Sequence, residues 1–161
     1  MRAGRYAVVG GVTYQAYFSA SSPTVGLIVR GDRPSEDFAW DDRMGGRWYR
    51  SVRRDVCSRL FDVATSAYWR GQFPVSVERV DPENARAQIN YFPGTVGPPV
   101  LGPGGAHLEP ALPVDHGRGW SGMVPQSELS GAVEVEHEIP SEPAAAPAVR
   151  PAPPRLPPLR P

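Results

Sequence analysis

Lysine is absent: all seventeen basic residues are arginine. There is a single cysteine, Cys57. That excludes an intramolecular disulfide and a thiol cluster for zinc. The three histidines are His107, His116 and His137, and no two stand at helical i, i+3 or i+4 spacing, so no helical metal pair exists. No segment approaches the ~20 apolar residues that a bilayer span requires. The N-terminal stretch Met-Arg-Ala-Gly-Arg-Tyr-Ala-Val-Val-Gly-Gly is basic, but its apolar run is too short for a signal peptide. The expectation is a cytoplasmic protein without a membrane partner. Formal net charge is zero, so no overall field steers the chain to nucleic acid or to an anionic surface. Gly102-Pro103-Gly104-Gly105 is glycine-rich, but no Lys-Ser/Thr follows it, so it does not read as a phosphate loop. No cofactor is expected.

The 161 residues suffice for one domain or two very small ones, with a core that needs no disulfide staples. Charge is unevenly placed. Every acid lies within residues 1–142, and the tail beyond carries only Arg150, Arg155 and Arg160. Arginine without lysine, beside abundant Pro, Gly, Ala and Val, points to the codon supply of a high-GC bacterium such as an actinobacterium.

Residues 46–63 organise the reading of the chain. Trp48, Ser51 and Val52 suit a strand. Asp55 stands where a helix N-cap belongs, and Cys57, Leu60 and Phe61 form a stripe at i, i+3 and i+4. The chain says this twice. In residues 117–135, Trp120 answers Trp48 and Val124 answers Val52. Ser127 answers Asp55, and Leu129, Ala132 and Val133 answer the stripe.

The flanking segments repeat as well. Residues 5–9 and 12–18 read as a hairpin around Gly10-Gly11, and residues 25–30 as a third strand covered on both sides. Residues 66–70, 73–80 and 85–92 repeat the three strands, with a turn at Asp81-Pro82-Glu83-Asn84. Tyr14, Ala16 and Phe18 match Phe73, Val75 and Val77. Val25, Leu27 and Val29 match Ala87, Ile89 and Tyr91. Two loops correspond, an acidic one over 31–46 and a Gly/Pro-rich one over 93–117. The spacing of matched positions drifts from about 60 to 72 residues, absorbed in loops that tolerate insertion. The predicted fold is therefore α+β and β-dominated. Two similar antiparallel β-meander halves, 1–63 and 64–142, each closed by a short helix, pack as one body. Residues 143–161 form a disordered Pro/Ala/Arg tail.

Little in the sequence carries chemistry. Asp115, His116 and Ser121 suggest a hydrolytic set, but such a set is defined by spatial roles rather than by adjacency. Cys57 on an apolar stripe reads as a buried, inert thiol. The arginines Arg43, Arg47, Arg50, Arg53, Arg54 and Arg59 could grip phosphates. The acidic loop directly upstream offers Asp37, Asp41 and Asp42 as their partners, and nucleic acid is not the expected ligand. Phe38 and Trp40 in that loop either pin it to the core or wait for a partner. The tail ends in Arg155-Leu156-Pro157-Pro158-Leu159-Arg160-Pro161. This Arg-x-x-Pro-x-x-Pro pattern has the form that docks in aromatic grooves, which allows an alternative role as an adaptor with a tail-binding protein.

Four segments carry a resemblance. They are Gly-Arg-Tyr-Ala-Val-Val-Gly-Gly-Val-Thr-Tyr (4–14), Gly-Arg-Trp-Tyr-Arg-Ser-Val (46–52), Tyr-Trp-Arg-Gly-Gln-Phe-Pro-Val (68–75) and Trp-Ser-Gly-Met-Val-Pro-Gln-Ser-Glu-Leu (120–129). In these the chain resembles small actinobacterial immunity proteins encoded beside secreted polymorphic toxins. The likeness spans most of residues 4–135 and none of the tail. It implies a cofactor-free, non-enzymatic protein that binds and blocks one cognate toxin. The resemblance carries over no toxin-contacting residue. The residues themselves nominate Asp37, Phe38, Trp40, Asp41, Asp42, His116 and Trp120 as the partner-binding set, because aromatics dominate interface energetics and acids speed encounter with a basic partner.

Overall fold

The computed structural model describes residues 1–115 and 119–141. Glycine opens the chain's first hairpin. Gly10 and Gly11 adopt φ of 58° and 80°, the doubly left-handed turn whose twist suits two flanking strands. It joins β1 (Gly4–Val9) to β2 (Val12–Tyr17), with Val9 facing Val12. β3 (Thr24–Val29) adds to β2. β5 (Arg47–Arg53) adds to β3, and the short β4 (Ala39–Asp41) adds to β5.

The next element departs from the expected helix. Arg54–Val56 is a single 3₁₀ turn, and β6 follows as an eleven-residue strand, Arg59–Trp69. Phe61, the last residue of the apolar stripe, is also the first of a longer two-residue alternation. Phe61, Val63, Thr65, Ala67 and Trp69 are all buried on one face, and a sustained period of two outweighs one helical turn. Nor does Asp55 cap a helix. Residue Arg53 occupies the cap position without a side-chain bond, and the Asp55 carboxylate receives the Arg53 Nε at 3.0 Å instead. The second expected helix resolves in the same way. Gln126–Glu128 is a 3₁₀ turn preceded by Pro125, and Leu129, Ala132 and Val133 lie in strand β11 (Leu129–Glu138). Among the described residues there is no α-helix, so the α component of the expected class is absent there.

β6 crosses the expected boundary at 63/64 without a break. One edge of it pairs with β1 over 59–63 and then with β7 (Phe73–Asp81) over 65–69. β11 runs along the opposite edge from Phe61 to Trp69. β8 (Arg86–Tyr91) follows β7 after the predicted turn. β10 (Trp120–Pro125) pairs with β8, and the two-residue β9 (Val114–Asp115) pairs with β10. The result is one antiparallel sheet in the order β4-β5-β3-β2-β1-β6-β7-β8-β10-β9, with β11 on β6. β4 and β9 are its two ends.

Two clusters of buried side chains fill the curled sheet. Ala7, Val25, Leu27, Phe38, Val52 and Leu60 belong to one. Trp69, Val75, Ala87, Ile89, Tyr91 and Val124 belong to the other. Of the strand-three positions read from alternation, Val25, Leu27, Ala87, Ile89 and Tyr91 are buried and Val29 is partly buried. The third strand's outer face is covered too, because the Tyr49 ring lies over Gly26. A Cβ on Gly26 would stand 2.6 Å from Tyr49 Cε2.

No helix among the described residues is long and apolar enough to cross a membrane. The expected tail, 143–161, lies outside the described residues, as does His116.

Candidate functional site

The acidic loop is built around a buried ring. Phe38 is only 1 % exposed and packs against Tyr14, with ring centroids 5.7 Å apart. The Arg50 guanidinium sits 6.0 Å over its ring and bridges to Asp37 at 3.3 Å. Phe38 therefore pins the loop and presents no contact surface. Once it is pinned, the chain pairs with β5 for three residues as β4, placing Trp40 opposite Trp48 and Asp41 opposite Arg47.

Trp40 stays 50 % exposed. It is nevertheless held on several sides. Its indole Nε1 donates to Asp42 Oδ1 at 2.8 Å. Its ring meets Trp48 edge-on at 5.3 Å and 68°. Gly46 lies beneath it, where a Cβ would come within 3.1 Å of the ring. Trp48 in turn donates from Nε1 to the Gly31 carbonyl at 2.9 Å, and Arg33 lies 5.4 Å over its face. Arg33 also donates to the carbonyls of Ser35, Glu36 and Phe38. One guanidinium thus ties the acidic loop to the tryptophan pair. Asp41 accepts from the Arg43 backbone N–H at 2.8 Å and so starts the 3₁₀ turn Asp42–Met44, which Gly45 ends at φ 76°. Opposite Asp41, Arg47 has its pKa lowered, first by burial and then by repulsion from Arg30 and Arg79.

Four nominated residues therefore meet at one end of the sheet: Asp37, Trp40, Asp41 and Asp42. Trp120 is remote from them in the sheet order. It is partly buried against the second core and tilts onto Tyr91 at 5.6 Å, beside β9. Sequence reading missed Trp48 and Arg33 as members of this site. The cross-strand register Trp40↔Trp48 was the signal, and it depends on recognising β4 inside a loop.

The arginines scatter rather than cluster. Arg50 pairs with Asp37, Arg53 with Asp55, and Arg59 with Glu136 and Glu138. Arg54 is 3 % exposed. Its guanidinium donates to the carbonyls of Ser19, Ala20, Ser22 and Pro140. Asp41 and Asp42 make no ion pair among the described residues, while Arg47 stands opposite Asp41 in the register and Arg33 lies over Trp48.

Cys57 is buried, and that burial pushes its thiol pKa up. Ser121 is buried in β10 opposite Val114 and Asn90. No group of three or more His, Cys, Asp or Glu side chains is placed to hold a metal among the described residues. No family model, curated protein or solved structure matches the chain.

Proposed function

We propose that this protein works by binding rather than by catalysis, and that its partner docks on the β4 end of the sheet. One observation carries the reading. Trp40 is half exposed, yet its ring is fixed by Asp42, Trp48 and Gly46. An exposed indole that is already immobilised loses little conformational entropy on association, and tryptophan anchors of this kind dominate interface energetics. Asp41 and Asp42 beside it, neither in an ion pair among the described residues, favour basic groups on the partner and would accelerate its encounter. β4 is also the terminal strand of the sheet, so its outer edge offers backbone groups to an added strand.

The sequence likeness narrows the partner to a secreted toxin of the producing cell, which makes this an immunity protein acting in the cytoplasm. The body that presents the site is a tandem of two like units. Two features support the duplication. β1, β2, β3 and β5 form a meander that returns through a 3₁₀ turn to pair β6 with β1. β6, β7, β8 and β10 follow the same course, returning through a second 3₁₀ turn to pair β11 with β6.

The test is growth rescue. The adjacent open reading frame is induced in a host with and without this protein. The reading predicts killing without it, growth with it, and loss of rescue by Trp40→Ala at equal expression. A harmless neighbour, or killing that persists despite good expression of the wild-type protein, contradicts it.

A further inference from the structure

β6 carries a notch on its outward face, where the two meanders part. β1 pairs with β6 as far as Val63, and β7 takes over at Thr65. Ala64, between them, has a registered partner only on the β11 side, Val135. The notch opens into a groove of about 800 Å³. The register sets its walls, since directly opposed side chains share one face of a sheet. Val135 stands beside Ala64, and Val133 beside Ser66. Ser66 meets Ser76 on its other side. Val135 and Val133 are 48 % and 57 % exposed, so one wall is apolar and open to solvent.

The opposite wall is acidic and hydroxylated. Glu78 lies just past the last β7 residue paired with β6, and the β7–β8 register skips it between Val77 and Arg79. Such a bulge re-aims a side chain, and Glu78 lines the groove. Its carboxylate accepts from the Ser76 hydroxyl at 3.1 Å and makes no ion pair among the described residues. Asp62 closes one end, between His137 and Arg5 in the register. Arg5 bridges to it at 3.3 Å, but is also drawn toward Phe18, whose carbonyl it binds and whose ring it covers. Neither Arg5 nor Arg79 lines the groove. Asp62 is thus balanced by a neighbour, and the charge left facing the groove is the Glu78 carboxylate.

We infer that this groove binds a small primary amine with an aliphatic body. An alkylammonium offers three N–H donors and no acceptor. The carboxylates of Glu78 and Asp62 and the hydroxyls of Ser66 and Ser76 supply acceptors, and the ionised ones give the stronger bonds. The hydrocarbon lies on Val133 and Val135, over the small Ala64 side chain, and leaves water as it does so. An anion of the same shape meets the Glu78 charge instead. β6 stands in the middle of the sheet order and β4 at its end, so this site is tested apart from the β4 end.

Hexylammonium is the probe, titrated into the full chain at about pH 8, where an amine with a pKa of about 10.4 stays charged. Binding is followed residue by residue in assigned nitrogen–proton correlation spectra. Saturable shifts are expected at Ala64, Glu78 and Val135, with a dissociation constant of about 1 mM, the range open to a ligand this small. Hexanol and hexanoate, with the same chain and no positive charge, should bind at least about tenfold more weakly. Glu78→Gln, at an exposed position, should weaken hexylammonium about tenfold. Ala64→Phe, also at an exposed position, fills the notch and should abolish the shifts. Equal binding of hexanol and hexylammonium would overturn the inference. So would shifts centred on Asp41 and Asp42, binding that Glu78→Gln and Ala64→Phe leave unchanged, or no saturable shift by about 10 mM.

Discussion

The indole N–H of Trp40 donates to the carboxylate of Asp42, two residues along the chain, across 2.8 Å. The bond orients an exposed ring on a strand of only three residues, and it uses an acid that makes no ion pair among the described residues. Positioning and charge thus come from one side chain. Removing either partner separates the two roles. Asp42→Asn keeps an acceptor for the indole and removes the charge, so it should slow association with a basic partner while leaving dissociation nearly unchanged. Stopped-flow rates across ionic strength check this, since the wild-type on-rate should fall more steeply with salt than the variant's.

The neighbouring aromatics should respond in opposite ways. Phe38→Ala removes a ring buried between Tyr14 and Arg50, and should cost about 3–5 kcal/mol in urea unfolding. Trp40→Ala removes a half-exposed ring that rests on Trp48 and Gly46 and bonds Asp42, and should cost less, about 1–2 kcal/mol. Similar costs for the two would mean that Trp40 is a packing residue and would remove the reason for placing the interface there.

Arg54 supports the strand-to-turn junction through four carbonyls, those of Ser19, Ala20, Ser22 and Pro140. Arg54→Ala removes four bonds from a charged donor and the packing of a buried side chain on Phe18, a loss of about 3 kcal/mol. Arg54→Lys keeps the charge but lacks the planar fork, so it should recover less than half of that. Equilibrium unfolding of the three proteins decides it.

Acid should loosen β11. The Glu136 carboxyl is held below its ordinary value of 4.5 by hydrogen bonds from Arg59 and then Arg2. For Glu134, burial pushes the pKa up, but the Arg2 backbone N–H and guanidinium outweigh it and the net shift is downward. Glu128 is lowered by Arg70 and then by the Trp69 indole. Folded values below unfolded ones mean that this stabilisation is fully present above the unfolded pKa. It is lost as pH falls from there through the folded values. Urea midpoints measured from about pH 6 down to about pH 3 should drop in the lower half of that range, and Glu136→Gln should flatten the drop. A flat wild-type profile would show that the Arg2–Glu136–Arg59 network contributes nothing measurable.

The strands were legible in the sequence because alternation survives in a single chain. Val25 and Leu27, Val75 and Val77, and Ala87 and Ile89 share strand faces by alternation, and all six are buried. The Gly10-Gly11 turn was legible because positive φ at two consecutive positions calls for glycine. The expected helices failed for a physical reason. Phe61 satisfies both a helical stripe and a strand alternation, and only the run onward to Trp69 separates them. β4 was invisible because its three residues carry no period, and its place follows from Phe38 being drawn into the core. The tryptophan site shares that fate. Trp40 and its acids were nominated from composition, whereas Trp48 and Arg33 join them only through the β4–β5 register.

The most direct measurement is a calorimetric titration of the purified product of the adjacent reading frame with wild-type protein and with Trp40→Ala. The account predicts a one-to-one complex whose dissociation constant rises by about thirtyfold or more in the variant, the signature of an interface hot spot. Its folding should be unchanged by circular dichroism. A complex that Trp40→Ala leaves within about twofold of wild type would place the contact elsewhere on the sheet. No heat of binding with either protein would remove the binding partner on which the account rests.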